Sequence, residues 1–394
     1  MKKEYLKDTL LVLCCMLAPV TPSLYAKKLV VIFFIFIVSK ILFSRDILYF
    51  INSKLLILIF FIPGMSLAIF YSGEAFFRFL PILLIIFGYP FSNYKINFSI
   101  PLIVSIFILF FLIFTQIFLA YGEPSFLSFR DSWYPFKYAE KFDAGYINSA
   151  SELIIQNKRG MRFGGLYHNP NDLAGIVFFY YLIFDLIGRD YLKSNLKENH
   201  KFLKTLFFFI TFFVIVSLML TYSRTILFVF ILYFFFTNLD FKLIIKKNIK
   251  LKINISSLIL IFFAIFLLAV IYDSIITGVF NSRGSFNLKL NILLRYLNDA
   301  TLLNLLIGGT NDRHFDMEWG YWLGNSGIFG IIAFIIFFRM MIKIIPNSKL
   351  LVFILILAGI GATIFYNFMM VSILTLVIII KSSLYFKNSK AEIR

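Results

Sequence analysis

The sequence predicts an all-α, polytopic integral membrane protein, and three observations support that fold class. Apolar residues make up 60% of the 394 residues and charged residues only 15%, whereas about a quarter of an average soluble domain is charged. The mean hydropathy is +0.89. Apolar runs of roughly 17 to 25 residues, long enough to cross a bilayer, recur from one end of the chain to the other. We therefore predict about twelve transmembrane helices in a single transmembrane domain, residues 1–394.

Each predicted span is an apolar run bounded by polar or charged residues. Lys2 and Lys3 resemble the start of a signal peptide, but no small-residue cleavage site follows, so we expect the first span to be retained. The run 204–238 is split at Tyr222-Ser223-Arg224, and the run 350–381 is split near Tyr366-Asn367, because the polar residues there interrupt it. In order, the predicted spans are roughly 9–26, 29–43, 55–71, 75–89, 98–121, 171–188, 204–221, 224–238, 256–272, 320–338, 350–366 and 368–381.

The distribution of Lys and Arg predicts the orientation. With the N-terminus in the cytoplasm, the short loops on the cytoplasmic side hold most of the basic residues, as the positive-inside rule requires. Both termini are then cytoplasmic, and two large loops, 122–170 and 273–319, lie on the outer side. The net charge of +18 does not indicate nucleic-acid binding, because the basic residues lie in short loops rather than on one basic domain. The adjacent Cys14 and Cys15 form no disulfide framework and no metal-ligand spacing.

The first candidate site lies at the end of the first large loop, between Arg159 and Gly175. Pro170 stands where a helix can begin, and Asn171 or Asp172 can act near its cap. Arg162 and His168 come shortly before it. A helix N-terminus together with an arginine suits a phosphate or diphosphate. A capped helix start and an anion site both remain open for this motif.

Two further arginines lie at predicted membrane boundaries. Arg224 follows Ser223 between two short spans, and Arg283 opens the second large loop within Asn281-Ser282-Arg283-Gly284. Arginine binds phosphate through a planar fork, which lysine lacks. The structural alternatives are an arginine that snorkels to the interface and, for residues 286–307, an amphipathic helix that lies on the membrane.

The densest polar cluster is Asn311 to Trp319, which includes His314, Asp316 and Glu318. Histidine can remove a proton near neutral pH, and a carboxylate can orient or replace it. Mutual ion pairing at a wet surface is the structural alternative. Glycines precede the cluster at 308–309 and follow it in Gly-Asn-Ser-Gly-Ile-Phe-Gly at 324–330, and they also suit close helix packing in lipid.

Taken together, these motifs resemble the O-antigen ligase and polymerase superfamily over roughly residues 155–340. The family's Arg, Gly and Pro-Asn signature resembles Arg162, Gly165 and Pro170-Asn171, and its Ser-Arg between short spans resembles Ser223-Arg224. Its Gly-rich stretch, His or Asp, and Gly-Ile-x-Gly helix resemble the segment from Gly308 to Gly330. The ligase branch often has His-Asn where this chain has His314-Phe315-Asp316, so the polymerase branch fits better.

The resemblance implies a bacterial inner-membrane glycosyltransferase with its active site facing the periplasm. Its substrates would be undecaprenyl-diphosphate-linked oligosaccharides, and a chain-length regulator and a flippase are further partners to consider. Three alternatives remain: a polymerase, a ligase that transfers glycan to lipid A core, and a lipid-linked oligosaccharide flippase. With three arginines as candidates for the diphosphate, we expect no cofactor and no strict need for a divalent metal ion. The implied roles are catalytic for His314, Asp316 and Glu318, diphosphate-binding for Arg162, Arg224 and Arg283, and substrate-binding for His168 and Asn171.

Overall fold

Helices form nearly all of the secondary structure, and the part of the chain that the structure describes contains no strand. The computed structural model describes residues 2–21, 31, 32, 35, 47–71, 79, 83, 86, 96–121, 170–194, 200–221, 223–238, 285–309, 318–344, 348–361 and 368–392. Its helices are, in chain order, α1 (Lys2–Leu17), α2 (Ile47–Tyr71), α3 (Ser99–Tyr121), α4 (Pro170–Ser194), α5 (His200–Thr221), α6 (Arg224–Asn238), α7 (Ser285–Asp299), α8 (Leu302–Ile307), α9 (Glu318–Ile344), α10 (Lys349–Gly361) and α11 (Phe368–Glu392).

Three of the described helices are long and apolar enough to cross a membrane: α3 over Ser99–Ile117, α4 over Asn171–Tyr191 and α9 over Glu318–Lys343. Shorter apolar segments lie in α1, α2, α5, α6, α10 and α11. The chain therefore has the character of a membrane protein. The predicted number of twelve spans and their orientation stay predictions, because the span at 256–272 and most of those at 29–43 and 75–89 lie outside the described residues.

Several predicted helix boundaries are confirmed. α4 begins at Pro170, and the predicted break after residue 221 separates α5 from α6. The first helix differs from the prediction, because it ends at Leu17 and a 3₁₀ turn over Ala18–Val20 follows it. Pro19 in that turn has no backbone N–H with which to continue the helix.

The predicted amphipathic segment 286–307 consists of two helices rather than one. α7 ends at Asp299 and α8 begins at Leu302. The break occurs at Thr301, whose backbone is extended and whose side chain accepts a hydrogen bond from the backbone N–H of Asn304 at 3.2 Å. Threonine in this N-cap position starts a new helix instead of continuing the previous one.

The core is built around α4. Its side chains from Leu173 to Phe184 are all buried, and a helix that is apolar all round belongs in the interior of a bundle. α3, α5, α6 and α11 pack against α4. Near the start of this helix Gly175 faces the side chain of Met370, which α11 contributes close to its own start.

Side-chain contacts give the relative directions of the helices around α4. Phe178 packs on Phe230 and Tyr181 on Tyr233, so α4 and α6 run parallel. α5 runs antiparallel to α4, because the hydroxyls of Tyr181 and Thr211 lie 3.2 Å apart whereas Phe184 packs on Phe207. The C-terminal end of α5 and the N-terminal ends of α4 and α6 therefore lie at the same end of the bundle.

α2, α8 and α10 pack against α9, and α10 links this group to the α4 bundle through α6. Gly64 of α2 lies against Ser326 of α9, where a Cβ would be 2.9 Å from the Ser326 Cα. Small residues let helix backbones approach closely, so Gly64 and Ser326 form the tight crossing of these two helices.

Candidate functional site

A layer of polar residues forms where α4 and α6 begin and α5 ends. We call Asn171, Asp172, Thr221, Ser223 and Arg224 the helix-end layer. The Thr221 hydroxyl donates to the carbonyl of Leu218 at 2.7 Å and accepts from the backbone N–H of Ser223 at 3.2 Å. These two bonds close α5 and form the turn from which α6 starts. The Ser223 carbonyl then accepts the first helical bond, from the N–H of Leu227 at 2.9 Å.

The register of the helices places these residues near the same end of the bundle. Phe178 lies beside Phe230, and Asp172 and Arg224 each come six residues before one of these two parallel positions. Tyr181 lies beside Thr211. Asn171 lies ten residues before Tyr181 in α4, and Thr221 lies ten residues after Thr211 in the antiparallel α5. The bonds from Tyr233 to Asp185 and from Arg189 to Thr237 pair positions 48 apart, four fewer than Phe178 and Phe230, so the layer is between one and two helical turns, ~5–10 Å, deep along the bundle axis.

The two ends of the layer differ in their electrostatics. Asp172 lies in the first turn of α4, where a negative charge is favourable, whereas Arg224 is the first residue of α6, where the helix dipole disfavours a positive charge. Asp172 therefore stabilises its helix as a cap residue would. The position of Arg224 at the first residue of α6 gives its own helix no such stabilisation.

A buried side-chain pair lies about one turn below the layer. The amide of Gln116 in α3 donates to the carbonyl of Ser217 in α5 at 3.2 Å, and the Ser217 hydroxyl donates to Gln116 Oε1 at 2.6 Å. Both side chains are fully buried. The pair therefore fixes the end of α3 relative to the end of α5, which carries Thr221.

Glu318 begins α9 in a different environment. Its side chain is fully buried, and Trp322 Nε1 donates a hydrogen bond to Glu318 Oε1. A carboxylate in the first turn of a helix is favoured by the helix dipole. The neighbouring Trp319 donates from Nε1 to the carbonyl of Ile356 in α10 at 3.2 Å. α10 also brings Gly359 so close that a Cβ there would be 3.2 Å from the Glu318 Cβ.

An aromatic cluster holds the residue that binds Glu318. The Trp322 ring lies 5.8 Å from Phe61, 5.6 Å from Phe79 and 5.3 Å from Phe334. Such edge-on and tilted contacts each stabilise by about 0.5–1.5 kcal/mol beyond the buried area. The indole N–H therefore has a fixed direction, and with it the Glu318 carboxylate.

The glycines on either side of the cluster meet in space. Gly308 and Gly327 have positive φ angles, of 83° and 61°. A Cβ on Gly308 would be 2.3 Å from the carbonyl carbon of Asn325, and one on Gly327 would be 2.4 Å from that of Leu306. The backbone N–H of Gly309 donates to the Gly324 carbonyl at 3.1 Å. These glycines allow α8 to pack directly on the backbone of a kinked α9, as the packing interpretation of the motif predicts.

The structure thus locates three of the predicted site residues. Asn171 and Arg224 share the helix-end layer, and Glu318 starts α9. Arg162, His168, Arg283, His314 and Asp316 lie outside the described residues. Among the residues that are described, no group of three or more His, Cys, Asp or Glu side chains forms a metal site.

The sequence analysis missed a buried polar cluster in the middle of the bundle. The Asp185 carboxylate of α4 is fully buried and accepts from Arg189 Nε at 2.8 and 2.7 Å and from the Tyr233 hydroxyl at 2.7 Å. Arg189 also donates to the Thr237 carbonyl at 3.1 Å. Asp185 and Arg189 are four residues apart on a predicted helix, and this spacing is the signal that indicates an ion pair.

Comparisons with known proteins add no family to these observations. No protein-family model, curated protein or solved structure matches this chain.

Proposed function

We propose that this protein is a glycosyltransferase of bacterial polysaccharide assembly. It joins undecaprenyl-diphosphate-linked repeat units at the periplasmic face of the inner membrane, as an O-antigen or capsular polysaccharide polymerase does. The single observation that carries the proposal is the helix-end layer, where Arg224 begins a helix that its charge does not stabilise, at the same end of the bundle as the Pro170-Asn171 helix start.

The reaction is the transfer of a growing glycan from its lipid diphosphate to a new repeat unit. A hydroxyl of the acceptor sugar attacks the anomeric carbon of the donor, and the bond from that carbon to the diphosphate oxygen breaks. The electron pair leaves with the diphosphate, and the hydroxyl proton passes to a base. Fixed cations stabilise the charge that develops on the leaving group, a role that we assign to Arg162, Arg224 and Arg283.

Proton removal is the role that we assign to His314, because an imidazole accepts a proton near neutral pH. Asp316 is its alternative or its orienting partner. Glu318 fits a positioning role better, because its carboxylate is fully buried and already bound to Trp322. His314 is four residues from Glu318 in the sequence, a separation that spans at most about 14 Å of chain. His168 and Asn171 complete the proposal as sugar-binding residues.

One observation favours a lipid-linked oligosaccharide flippase instead. Asp185 is a carboxylate inside a membrane-spanning helix, and such residues often mark a transport path. Its hydrogen bonds to Arg189 and Tyr233, however, already occupy both carboxylate oxygens. A transport site needs groups that exchange partners with the substrate, so this pair fits a structural role better.

The test uses Arg224→Ala in a strain that lacks the native gene. We expect the long-chain polysaccharide ladder to be lost while the amount of membrane-inserted protein is unchanged, and Arg224→Lys to restore it only in part because lysine lacks the planar fork. Arg339→Ala is the matched control, since Arg339 is an exposed arginine near the other end of α9. A ladder of normal length in Arg224→Ala would refute the assignment.

A second variant separates catalysis from charge balance. If Arg224 serves only to neutralise Asp172, the acidic residue of the helix-end layer, then Arg224→Ala combined with Asp172→Asn will polymerise normally. We expect the double variant to stay inactive.

The product distinguishes the remaining alternatives: glycan on lipid A core would identify a ligase, and unpolymerised repeat units retained on the cytoplasmic side would identify a flippase.

A further inference from the structure

The helices α7 and α8 carry exposed leucines beside a helix that is long enough to span the membrane. Leu302 is 75% exposed and Leu303 63%, and on α7 Leu294 and Leu297 are 47% and 41% exposed. A second strip of α7 is exposed and polar, and it consists of Asn291, Arg295, Asn298 and Asp299. At 100° per residue this polar strip lies about 120° around the helix from the leucines. α7 therefore has separate apolar and polar outer faces.

Both helices are firmly held on α9. The Tyr296 hydroxyl, in the middle of α7, is 3.1 Å from the Asn304 carbonyl in α8 and 3.3 Å from the Leu323 carbonyl in α9, and it donates to these two acceptors. The N–H of Gly309 donates to the Gly324 carbonyl. The position of the leucines in the bilayer is therefore set by the position of α9.

The length of α9 places its contact with α8 in the apolar layer. Its candidate span, Glu318–Lys343, has 26 residues and is at most ~39 Å long at 1.5 Å per residue, because α9 is kinked at Gly327; the hydrocarbon core is about 30 Å thick. α8 meets α9 at Gly324 and Gly327, about 9 and 14 Å from the start of the helix. If the excess length lies at the Glu318 end, the contact lies at the edge of the hydrocarbon. If it lies at the other end, the contact is deeper.

We propose that α7 and α8 form a membrane anchor, and that Leu294, Leu297, Leu302 and Leu303 insert among the lipid acyl chains on the Glu318 side of the bilayer. The polar strip of α7 then lies among the headgroups, as in other interfacial amphipathic helices. The anchor is independent of the proposed function, because it rests on the leucines and on their fixed depth relative to α9. It replaces the single membrane-lying helix considered for residues 286–307 by two helices, and it names the four leucines that enter the acyl-chain region.

The test measures the surroundings of Leu303 in the full-length protein. Single cysteines replace Leu303, Asn298 or Ile335 in a Cys14→Ala, Cys15→Ala background, and a nitroxide label is attached to each in nanodiscs of phosphatidylcholine and phosphatidylglycerol. Ile335, 60% exposed in the middle of α9, is the lipid-facing reference, and Asn298 is the reference for the polar face. We expect the ratio of oxygen to nickel-chelate accessibility at 303 to be close to that at 335 and several-fold higher than at 298.

Two results would overturn the proposal. A ratio at 303 equal to that at 298 would show that α8 is in water, and low accessibility to both reagents would show that protein covers it. A second measurement needs no change at Cys14 or Cys15: benzoylphenylalanine at position 303 is photolysed in the same nanodiscs. Adducts with phospholipid acyl chains are expected, whereas crosslinks to a second copy of the chain would identify a protein interface instead.

Discussion

The buried carboxylate of Asp185 allows a quantitative prediction about the stability of the bundle. The Arg189→Met variant removes the cation but leaves Asp185 buried with Tyr233 as its remaining neutral donor. Breaking a buried pair by removing one partner costs about 3–5 kcal/mol. The Arg189 side chain is 31% exposed, so water screens part of the interaction, and we expect the lower end, about 3 kcal/mol.

The other variants of this cluster are expected to cost much less. Tyr233→Phe removes one hydrogen bond and leaves the ion pair, and hydrogen bonds between membrane helices average about 0.6 kcal/mol and reach about 1.7 kcal/mol. The double variant Asp185→Leu with Arg189→Met replaces the pair by apolar side chains of similar size. Such replacements are often neutral or stabilising, so we expect the double variant to be within about 1 kcal/mol of the wild type.

The measurement is equilibrium unfolding by SDS titration in mixed micelles, followed by tryptophan fluorescence, which reports on the buried Trp322. Arg339→Met is the control, because Arg339 is an exposed arginine on another helix. The expected order of stability places the double variant above Arg189→Met. If the double variant is as unstable as Arg189→Met, or if Arg189→Met is no worse than Tyr233→Phe, the reasoning from charge burial is refuted.

Two further predictions concern the backbone contact of α8 and the pair between α3 and α5. Gly327→Ala places a Cβ 2.4 Å from the Leu306 carbonyl carbon, whereas a Cβ on Gly309 meets nothing closer than 3.6 Å. Both glycines have positive φ angles, so both variants strain the backbone, and overpacking of about 1–3 kcal/mol should lower the thermal midpoint of Gly327→Ala below that of Gly309→Ala. Equal midpoints would contradict the close contact. Gln116→Leu should lower the free energy of unfolding by about 1 kcal/mol in the same SDS titration. Adding Ser217→Ala to this variant should recover part of the lost stability. If the two substitutions lower the stability additively, the two side chains are not coupled.

Local signals in the sequence were sufficient to predict several helix boundaries. Pro170 suits the first turn of a helix and opens α4. The polar Tyr222-Ser223-Arg224 interrupts an apolar run, and α5 and α6 meet there. These boundaries depend on residues adjacent in the chain, which is why periodicity and capping rules reach them. The missed pair of Asp185 and Arg189, four residues apart, carries a local signal of the same kind.

Contacts between residues on different helices could not be predicted from the sequence, because they depend on how the helices pack. Tyr233 reaches Asp185 only because α4 and α6 run parallel in one register. The kink at Gly327 was likewise hidden, because a glycine-rich run suits close packing and a positive φ equally well. The burial of Glu318 is a third case: in the sequence it belongs to a charged stretch, whereas in the structure Trp322 and α10 enclose it.

The two buried polar links lie at different heights on the same bundle, and together they set the register of the helices whose ends form the helix-end layer. Gln116 and Ser217 hold α3 against α5 near the helix-end layer, and Asp185 and Tyr233 hold α4 against α6 further along. A slip of one turn in either pair would move a helix end by about 5 Å. A site that stabilises a leaving diphosphate requires its groups within about 0.5 Å of the productive position. If the proposed function is right, the polar residues inside the bundle are the means by which an otherwise apolar, non-directional core fixes the start of α6, and with it the backbone of Arg224.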